Sequence, residues 1–390
     1  MKEELFSILN LKNREDIKKF AKKINVNVST LTYFNDNCIY PEPEIIKKVL
    51  KGSPNLTEFE LKIRLGHIDS TVLEYLQKNA KEIASTFKLD SNTKKTKREL
   101  PKAEFSTPLG KLFKADCLDI MKNMEDNSVD LIFADPPFNL NKEYESGIND
   151  KLSKTEYLNW TEKWITECIR ILKEGGSFFI WNLPSWNTYS AEILNKHLSL
   201  RHWIAVDIKY SLPIANKLYP SHYSLLYYVK GDKPATFNQE RLPLEICRHC
   251  SGDIKDYGGY KKKLNIQGIS LTDVWRDISP VRHKKYKNRG SNELPLNLLE
   301  RIISLSTNEG DLVFDPFGGS GTTFVVSEIL KRRWTGTEIG PIDIIQERFD
   351  DLVFPTFLIN DIQNSKNKLF TKEMRKLRIK NGHWLPESLS

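Results

Sequence analysis

Two short segments pair residue types with a chemistry. Asp135-Pro136-Pro137-Phe138 closes the apolar run Val129–Ala134, and Asp315-Pro316-Phe317-Gly318-Gly319-Ser320-Gly321 closes Asp311-Leu312-Val313-Phe314. Each run reads as a buried parallel strand. An acid followed by glycines, between a strand and a helix, suits a nucleoside cofactor, because glycine has no Cβ and lets the backbone approach a ligand. A carboxylate followed by two prolines suits a planar amino group. Asp135 accepts one N–H and the Pro136 carbonyl the other, while proline donates nothing and stiffens the turn. An exocyclic base amine is a poor nucleophile because its lone pair is conjugated into the ring. Acceptors on both N–H groups localise that pair, and attack on an activated methyl then needs alignment more than acid–base force. Phe138 would stack on a base flipped out of a duplex. Together the segments point to methyl transfer to an exocyclic amine of a DNA base. The plainer alternatives are a strand stopped by Pro136-Pro137 and a tight strand-to-helix turn at the glycines.

The elements that must position these residues follow an α/β pattern from Gly110 to about residue 354. Strands are expected at Leu112–Ala115, Asp130–Ala134, Ser177–Trp181, His202–Tyr210, Tyr223–Val229, Leu312–Phe314 and Trp334–Glu338. Helices are expected at Leu118–Met124, near Tyr189–His197, at Leu296–Ser304 and at Thr322–Leu330. A further helix starts at a capping box, Ser153 with Glu156, carries Tyr157, Trp160, Trp164, Cys168 and Leu172 at helical spacing, and stops at Gly175. Alternating strands and helices imply a mostly parallel sheet covered on both faces.

Ligands of open α/β sheets bind beyond the carboxyl ends of the strands. Asp116, Asp315 and Glu338 all fall at such ends, with Gly318, Gly319 and Gly321 beside them. Glu338 follows the glycine turn by about 20 residues, the position that grips ribose hydroxyls in dinucleotide folds. No Gly-x-Gly-x-x-Gly and no Gly-Lys-Ser/Thr loop is present, so no pyrophosphate cradle supports NAD, FAD or ATP. S-adenosyl-L-methionine, with a ribose and an adenine but no phosphate, fits better.

At these residues the sequence resembles the amino-methyltransferases that modify adenine N6 or cytosine N4 in DNA. Asp135–Phe138 is similar to their catalytic motif and Asp315–Thr322 to their cofactor motif. The catalytic motif comes first with a long insert between, which resembles the circularly permuted β class. The resemblance covers roughly residues 105–350. It implies a seven-stranded doubly wound α/β sheet, and residues 1–88, by their own helical and polar pattern, read as a small all-α N-terminal domain before it. It also implies that Asp315, Phe317 and Gly319 line the methionine end, Glu338 the ribose and Asp116 the adenine amino group. Pro295 matches the proline of a segment that precedes the family's cofactor strand, whereas Asn292, Glu293 and Leu294 depart from it. Members with Asp at position 135 usually act on adenine and those with Ser on cytosine, so adenine N6 is expected. N4-cytosine methylation, a non-catalytic cofactor-binding DNA regulator and an RNA substrate remain as rivals. A related Asn-Pro-Pro motif serves glutamine methyltransferases, and Asp135 speaks against that reading. Double-stranded DNA, a cognate restriction endonuclease and a second copy of the chain in a homodimer are the expected partners.

The 390 residues exceed one ordinary core, and 59 Lys+Arg against 51 Asp+Glu give +8, a mildly basic balance that suits a polyanion. Residues 1–88 read as a helical domain, 89–104 as a linker, 105–230 as the catalytic half, 231–290 as a target-recognition insert, 291–354 as the cofactor half and 355–390 as a basic tail. The tail is read as a solvated helix face. Ile17–Ile24, a turn at Asn25-Val26-Asn27, then Val28–Phe34 and Glu44–Leu50 resemble a phage-repressor helix-turn-helix. Its core would be Ala21, Val26, Leu31 and Phe34, and Ser29, Thr30, Thr32 and Tyr33 would face the major groove. A helical cap on the catalytic domain is the rival. Arg282, Lys284 and Lys285 lie in a basic run with Tyr286 that could neutralise phosphates. Cys247-Arg248-His249-Cys250 is half a zinc site with no second half, with His222 and His283 as unsupported candidates, so no metal is expected. Five scattered cysteines argue against a disulfide framework. Without an apolar run of membrane length or a signal-peptide core, the expected location is the cytoplasm.

Overall fold

The computed structural model describes residues 3–37, 39–87, 100–139, 152–207, 215–216, 218, 221–247, 254–256, 258–260, 263–278, 293–364, 372–383 and 385. The chain forms two compact units, one of residues 1–97 and 139–163 and one of 98–138 and 164–390.

The described residues of the first unit include the helices α1 (Leu5–Ile8), α2 (Arg14–Ile24), α3 (Val28–Asn37), α4 (Pro43–Gly52), α5 (Glu58–Arg64), α6 (Ser70–Lys78) and α7 (Ala80–Phe87), and the start of a further helix from Lys154. Asn13 starts α2 by accepting from the Glu15 and Asp16 amides, and Asn25 ends it in the left-handed region at φ 54. Pro43 occupies the first turn of α4, where its missing N–H costs nothing. Ala21, Leu31 and Phe34 are buried as their spacing requires, and Val26 packs at the edge of the cluster with Ala21, Ile24, Leu31 and Val49. The expected capping box opens α9 (Lys154–Ile171) and forms in both directions: Ser153 N–H donates to Glu156 Oε2 at 2.9 Å and Glu156 N–H to Ser153 Oγ at 3.3 Å.

The second unit is built on strands β1 (Phe105–Ser106), β2 (Gly110–Lys114), β3 (Val129–Ala134), β4 (Leu172–Asn182), β5 (Ser199–Asp207), β6 (His222–Val229), β7 (Arg241–Leu242), β8 (Ile269–Ser270), β9 (Val274–Trp275), β10 (Leu312–Asp315) and β11 (Arg333–Glu338). Nine of them form one sheet in the order β1-β2-β11-β10-β3-β4-β6-β5-β9, and β7 pairs with β8 apart from it. The nine exceed the expected seven by two short edge strands, β1 and β9, too brief to leave a period in the sequence. β2, β11, β10, β3 and β4 are parallel, while β6 is antiparallel to both β4 and β5.

The remaining helices are α8 (Cys117–Met121), α10 (Pro184–Leu194), α11 (Leu296–Ser306), α12 (Thr322–Ile329), α13 (Asp343–Asp350), α14 (Val353–Asn364) and α15 (Lys372–Lys380). α9 stops at Ile171 rather than at Gly175. Gly175 lies inside β4 with φ +74, and a Cβ there would come within 2.8 Å of Ala235 Cβ. The glycine therefore serves a close chain approach and not a helix end. In the tail Lys372, Lys376 and Lys380 of α15 are exposed, whereas Arg378 is 2% exposed and Ile359 of α14, 1% exposed, joins the large core. Trp275 and Ile278, from the segment read as an insert, belong to the same core.

Candidate active site

β3 and β10 are neighbours in the sheet and run parallel, with Val313 opposite Leu131 and Phe314 opposite Ile132. Parallel neighbours lie about 4.8 Å apart. The two motif segments, distant in sequence, therefore leave the sheet side by side at its carboxyl edge. Only two residue pairs set this register, and Asp130 reinforces it. Its carboxylate accepts from the Leu312 amide of β10 at 2.9 Å and from Lys173 Nζ of β4 at 2.7 and 2.8 Å.

Asp315 is 2% exposed. One carboxylate oxygen accepts from the Phe317 amide at 2.9 Å and the other from the Thr323 hydroxyl at 2.5 Å, so this acid braces the glycine turn from below. Burial pushes its carboxyl up to about 7. The hydrogen bonds from Thr323 and Phe317 pull the other way, and the charge of Glu338 adds to the rise. The turn is also fixed to β11: Gly318 N–H donates to the Thr337 carbonyl at 2.8 Å and Thr337 Oγ1 to the Pro316 carbonyl at 2.7 Å. Gly321 starts α12 at φ 76, where a Cβ would meet Ile345 at 2.8 Å.

Glu338 ends β11. Its oxygens accept from the Gly319 and Gly340 amides, each at 2.7 Å. A carboxylate has about four lone-pair sites, so acceptor capacity remains. Asp116 caps α8 by accepting from the Leu118 amide at 2.8 Å. The Ala115 amide just before it donates to the Glu338 carbonyl at 3.1 Å, which sets Asp116 beside Glu338 at the same edge. Pro295 precedes α11 and accepts from the Leu298 amide through its carbonyl.

At the end of β3 Asp135 is half-buried and Pro136 buried. Phe138 is 8% exposed, its ring centre 6.1 Å from Tyr223, which in turn lies 4.8 Å from Trp181. Asn139 follows at φ 51, and its amide exchanges two hydrogen bonds with the backbone of Leu152 at 2.9 and 3.0 Å.

Several contributors left no signal in the sequence. Arg348 of α13 donates to the Ser320 carbonyl at 2.8 Å and to Thr322 Oγ1 at 3.0 Å, and faces Glu293 at 3.6 Å. Burial lowers the Arg348 pKa and Glu293 opposes that. Glu293, one of the residues that depart from the family segment, thus forms part of a buried clasp on the glycine turn. Trp164, fully buried, meets Phe317 edge-on at 5.2 Å. Arg282, Lys284, Lys285, His249, Cys250 and His283 lie outside the described residues. Cys247 is half-buried, and among the described residues no group of three His, Cys, Asp or Glu could hold a metal ion.

A mostly parallel sheet with acids and a glycine turn at the carboxyl ends of its strands is the frame of a nucleoside-binding enzyme. Residues 129–347, more than half of the chain, match the DNA methylase family of N6 and N4 methyltransferases, and the chain belongs to that family. It is 50% identical over 370 residues to the type II methyltransferase M.BamHI of Bacillus amyloliquefaciens, a match that covers 94% of this chain and 87% of that protein. It is 34% identical over 228 residues to the DNA adenine methyltransferase YhdJ of Escherichia coli strain K12, covering 57% of this chain and 76% of that one. Among solved structures, the cytosine-N4-specific PvuII DNA methyltransferase is 19% identical with a TM-score of 0.48, over 68% of this chain and 96% of that chain. The methyl donor of this family, S-adenosyl-L-methionine, is the cofactor. The side chains fit it. Glu338 and Asp116 at one edge would repel a phosphate but suit a cationic, hydroxyl-bearing nucleoside, and Arg348 is engaged by the turn's own oxygens.

Proposed function

We propose that this chain is a site-specific methyltransferase that modifies an exocyclic amino group in duplex DNA, adenine N6 in the first reading, as the modification partner of a restriction endonuclease. The observation that supports this is the parallel pairing of β3 with β10, by which an acceptor pair for an amine after β3 would lie near a turn suited to the methyl donor after β10. The motif order along the chain, catalytic before cofactor, supports the permuted β class. Cytosine N4 is the second reading, because Asp135 and the Pro136 carbonyl can serve either amine. Asp135 and the likeness to an adenine enzyme favour adenine.

In this reading Glu338 takes the ribose hydroxyls, Asp116 the adenine amino group, and Phe317 with Gly318, Gly319 and Gly321 the remainder of the cofactor. Asp315 and Pro295 act through the backbone they hold. Bound S-adenosyl-L-methionine supplies an electrophilic methyl group. Asp135 and the Pro136 carbonyl each accept one N–H of the target amine and so expose its lone pair. The Asp135 carboxylate is also at hand for the proton the amine sheds. Phe138 would stack on the flipped base. Ser29, Thr30, Thr32 and Tyr33 on α3, and residues 231–290 with Arg282, Lys284 and Lys285, are assigned to DNA contact. Ser29 and Tyr33 are exposed and Thr30 and Thr32 half-buried, which suits a groove-facing helix. A cytoplasmic location and a homodimer complete the reading. Among the described residues no helix is long and apolar enough to cross a membrane.

The test is digestion of DNA from cells expressing the chain into nucleosides. N6-methyladenine is the expected product, and N4-methylcytosine would install the second reading. Asp135→Ala should lower methyl transfer by about 10²–10³ while donor and DNA binding persist. If the wild type labels no duplex, the chain is a cofactor-binding regulator.

A further inference from the structure

The segment read as a target-recognition insert has structure of its own. β7 and β8 pair with each other apart from the large sheet, with Arg241 opposite Ser270 and Leu242 opposite Ile269. Leu244 and Ile254, with Leu264 and Ile269 packed against them, form a small apolar cluster separate from the main core. Apolar burial is non-directional, so this cluster does not by itself orient the segment on the sheet. Orientation is decided at the root, where the chain enters through Glu240 and leaves through Asp277. The two legs touch there, the Leu271 amide donating to the Glu240 carbonyl at 3.1 Å.

Arg301 of α11 holds both legs. Its Nη1 donates to Asp277 Oδ1 at 3.0 Å and its Nη2 to Asp277 Oδ2, the two-pronged fit of a guanidinium to a carboxylate. Its Nε faces Glu240 Oε2 at 3.6 Å, and its Cζ lies 4.9 Å from the centre of the Trp275 ring. Arg301, Glu240 and Trp275 are all buried. Asn238 adds a hold on the entering leg: its backbone amide donates to the Leu305 carbonyl at 2.8 Å and its side-chain amide to the Ser304 carbonyl at 2.9 Å. Stability alone gives little reason for the buried charges, since apolar residues of the same volume often serve as well or better. A planar fork with a ring over its face supplies direction instead. α11 is also fixed to the donor turn. The Leu294 carbonyl just before the helix accepts from Thr322 Oγ1 at 3.2 Å, and Arg301 stands about 10 Å further along.

We infer that Arg301 is a positioning residue for target recognition. It holds the entering and leaving legs of the insert in one orientation on α11, and α11 carries that orientation to the donor turn. This inference rests on the reading of residues 231–290 as a DNA-contacting segment.

The test compares methylation of the DNA word that sequencing of modified bases identifies with that of duplexes carrying one wrong base pair. Arg301→Gln should raise the KM for DNA and lower the discrimination between the two duplexes, each by about 10-fold. The KM for S-adenosyl-L-methionine should stay at the wild-type value. Arg301→Lys keeps the charge without the fork and should fall between wild type and Arg301→Gln. Asp277→Asn, at an exposed partner, loosens the leaving leg and should lower discrimination less; it reports on the grip if Arg301→Gln does not fold. Ile302→Val, a core truncation on the same helix, should lower the denaturant midpoint and leave discrimination unaltered. Unchanged discrimination in the Arg301 and Asp277 variants, or an equal fall in Ile302→Val, overturns the assignment. Hydrogen exchange separates it from the proposed function. In Arg301→Gln the amides of β7, β8 and Leu271 should exchange faster, and those of β10 as in wild type. A wild type that methylates no duplex sinks the proposed function, whereas exchange at β7 and β8 that ignores Arg301 sinks the clamp.

Discussion

At Asp315 burial and hydrogen bonding oppose each other, and burial wins: the carboxyl rises from 3.8 to about 7. The unfolded chain releases this proton near pH 4, and the folded chain holds it until about 7. Folding therefore takes up a proton between those values, so stability falls as pH rises through that window and levels off above it. The full effect is on the order of a few kcal/mol. Asp315→Asn still accepts from the Phe317 amide and can donate to Thr323, so it should flatten this dependence. Urea midpoints of wild type and variant from pH 4 to pH 8 check it, and parallel curves would dismiss the buried proton. The sequence made the acid at the end of a strand legible. It did not show that this acid faces the protein interior while Glu338 keeps acceptor capacity for a ligand. Burial is set by Thr323, Phe317 and the layers around them, not by the residues adjacent in sequence.

Among the elements, the pairing of β2 with β11 depends on two glycines and two aromatic rings. Phe324 of α12 stacks on Trp334 of β11 with ring centres 5.0 Å apart. Gly336 lies under Phe324, where a Cβ would be 2.1 Å from the ring, and Gly110 lies under Trp334, where it would be 1.9 Å. Neither ring can retreat, because each is packed against the other. Gly336→Ala should cost about 1–3 kcal/mol, read as a lower denaturant midpoint with an unchanged slope. A midpoint within error of wild type would show that the stack yields freely. Strand and helix positions were largely readable from periodicity, with β3, β10, β11, α11 and α12 within a residue or two at each end. The antiparallel β6, the bulged start of β4 at Gly175 and the packing of α14 were not, since each depends on a partner distant in sequence.

For the whole molecule, binding and stability are linked within the unit that binds. A donor that contacts only the carboxyl edge of the sheet stabilises the second unit by RT ln(1 + [L]/Kd), about 2.7 kcal/mol at a hundredfold excess over Kd. Amides of β10 and β11 that exchange through unfolding should then slow about 100-fold, while those of α2 to α4 stay unchanged. Hydrogen exchange with and without S-adenosyl-L-methionine measures this, and equal slowing in both units would contradict a site confined to the sheet.

The sequence alone determined the two motifs, the chemistry their residue types permit, the alternation of strands and helices, and the placement of acids at strand ends. These are local properties, written in periodicity, turn residues and side-chain type. Tertiary structure alone decided that β3 and β10 are neighbours, that Asp315 faces inward, and that Arg348 and Glu293 clasp the glycine turn. Strand pairing and burial arise between segments far apart in the chain, where the energy depends on the partner and no local pattern encodes it.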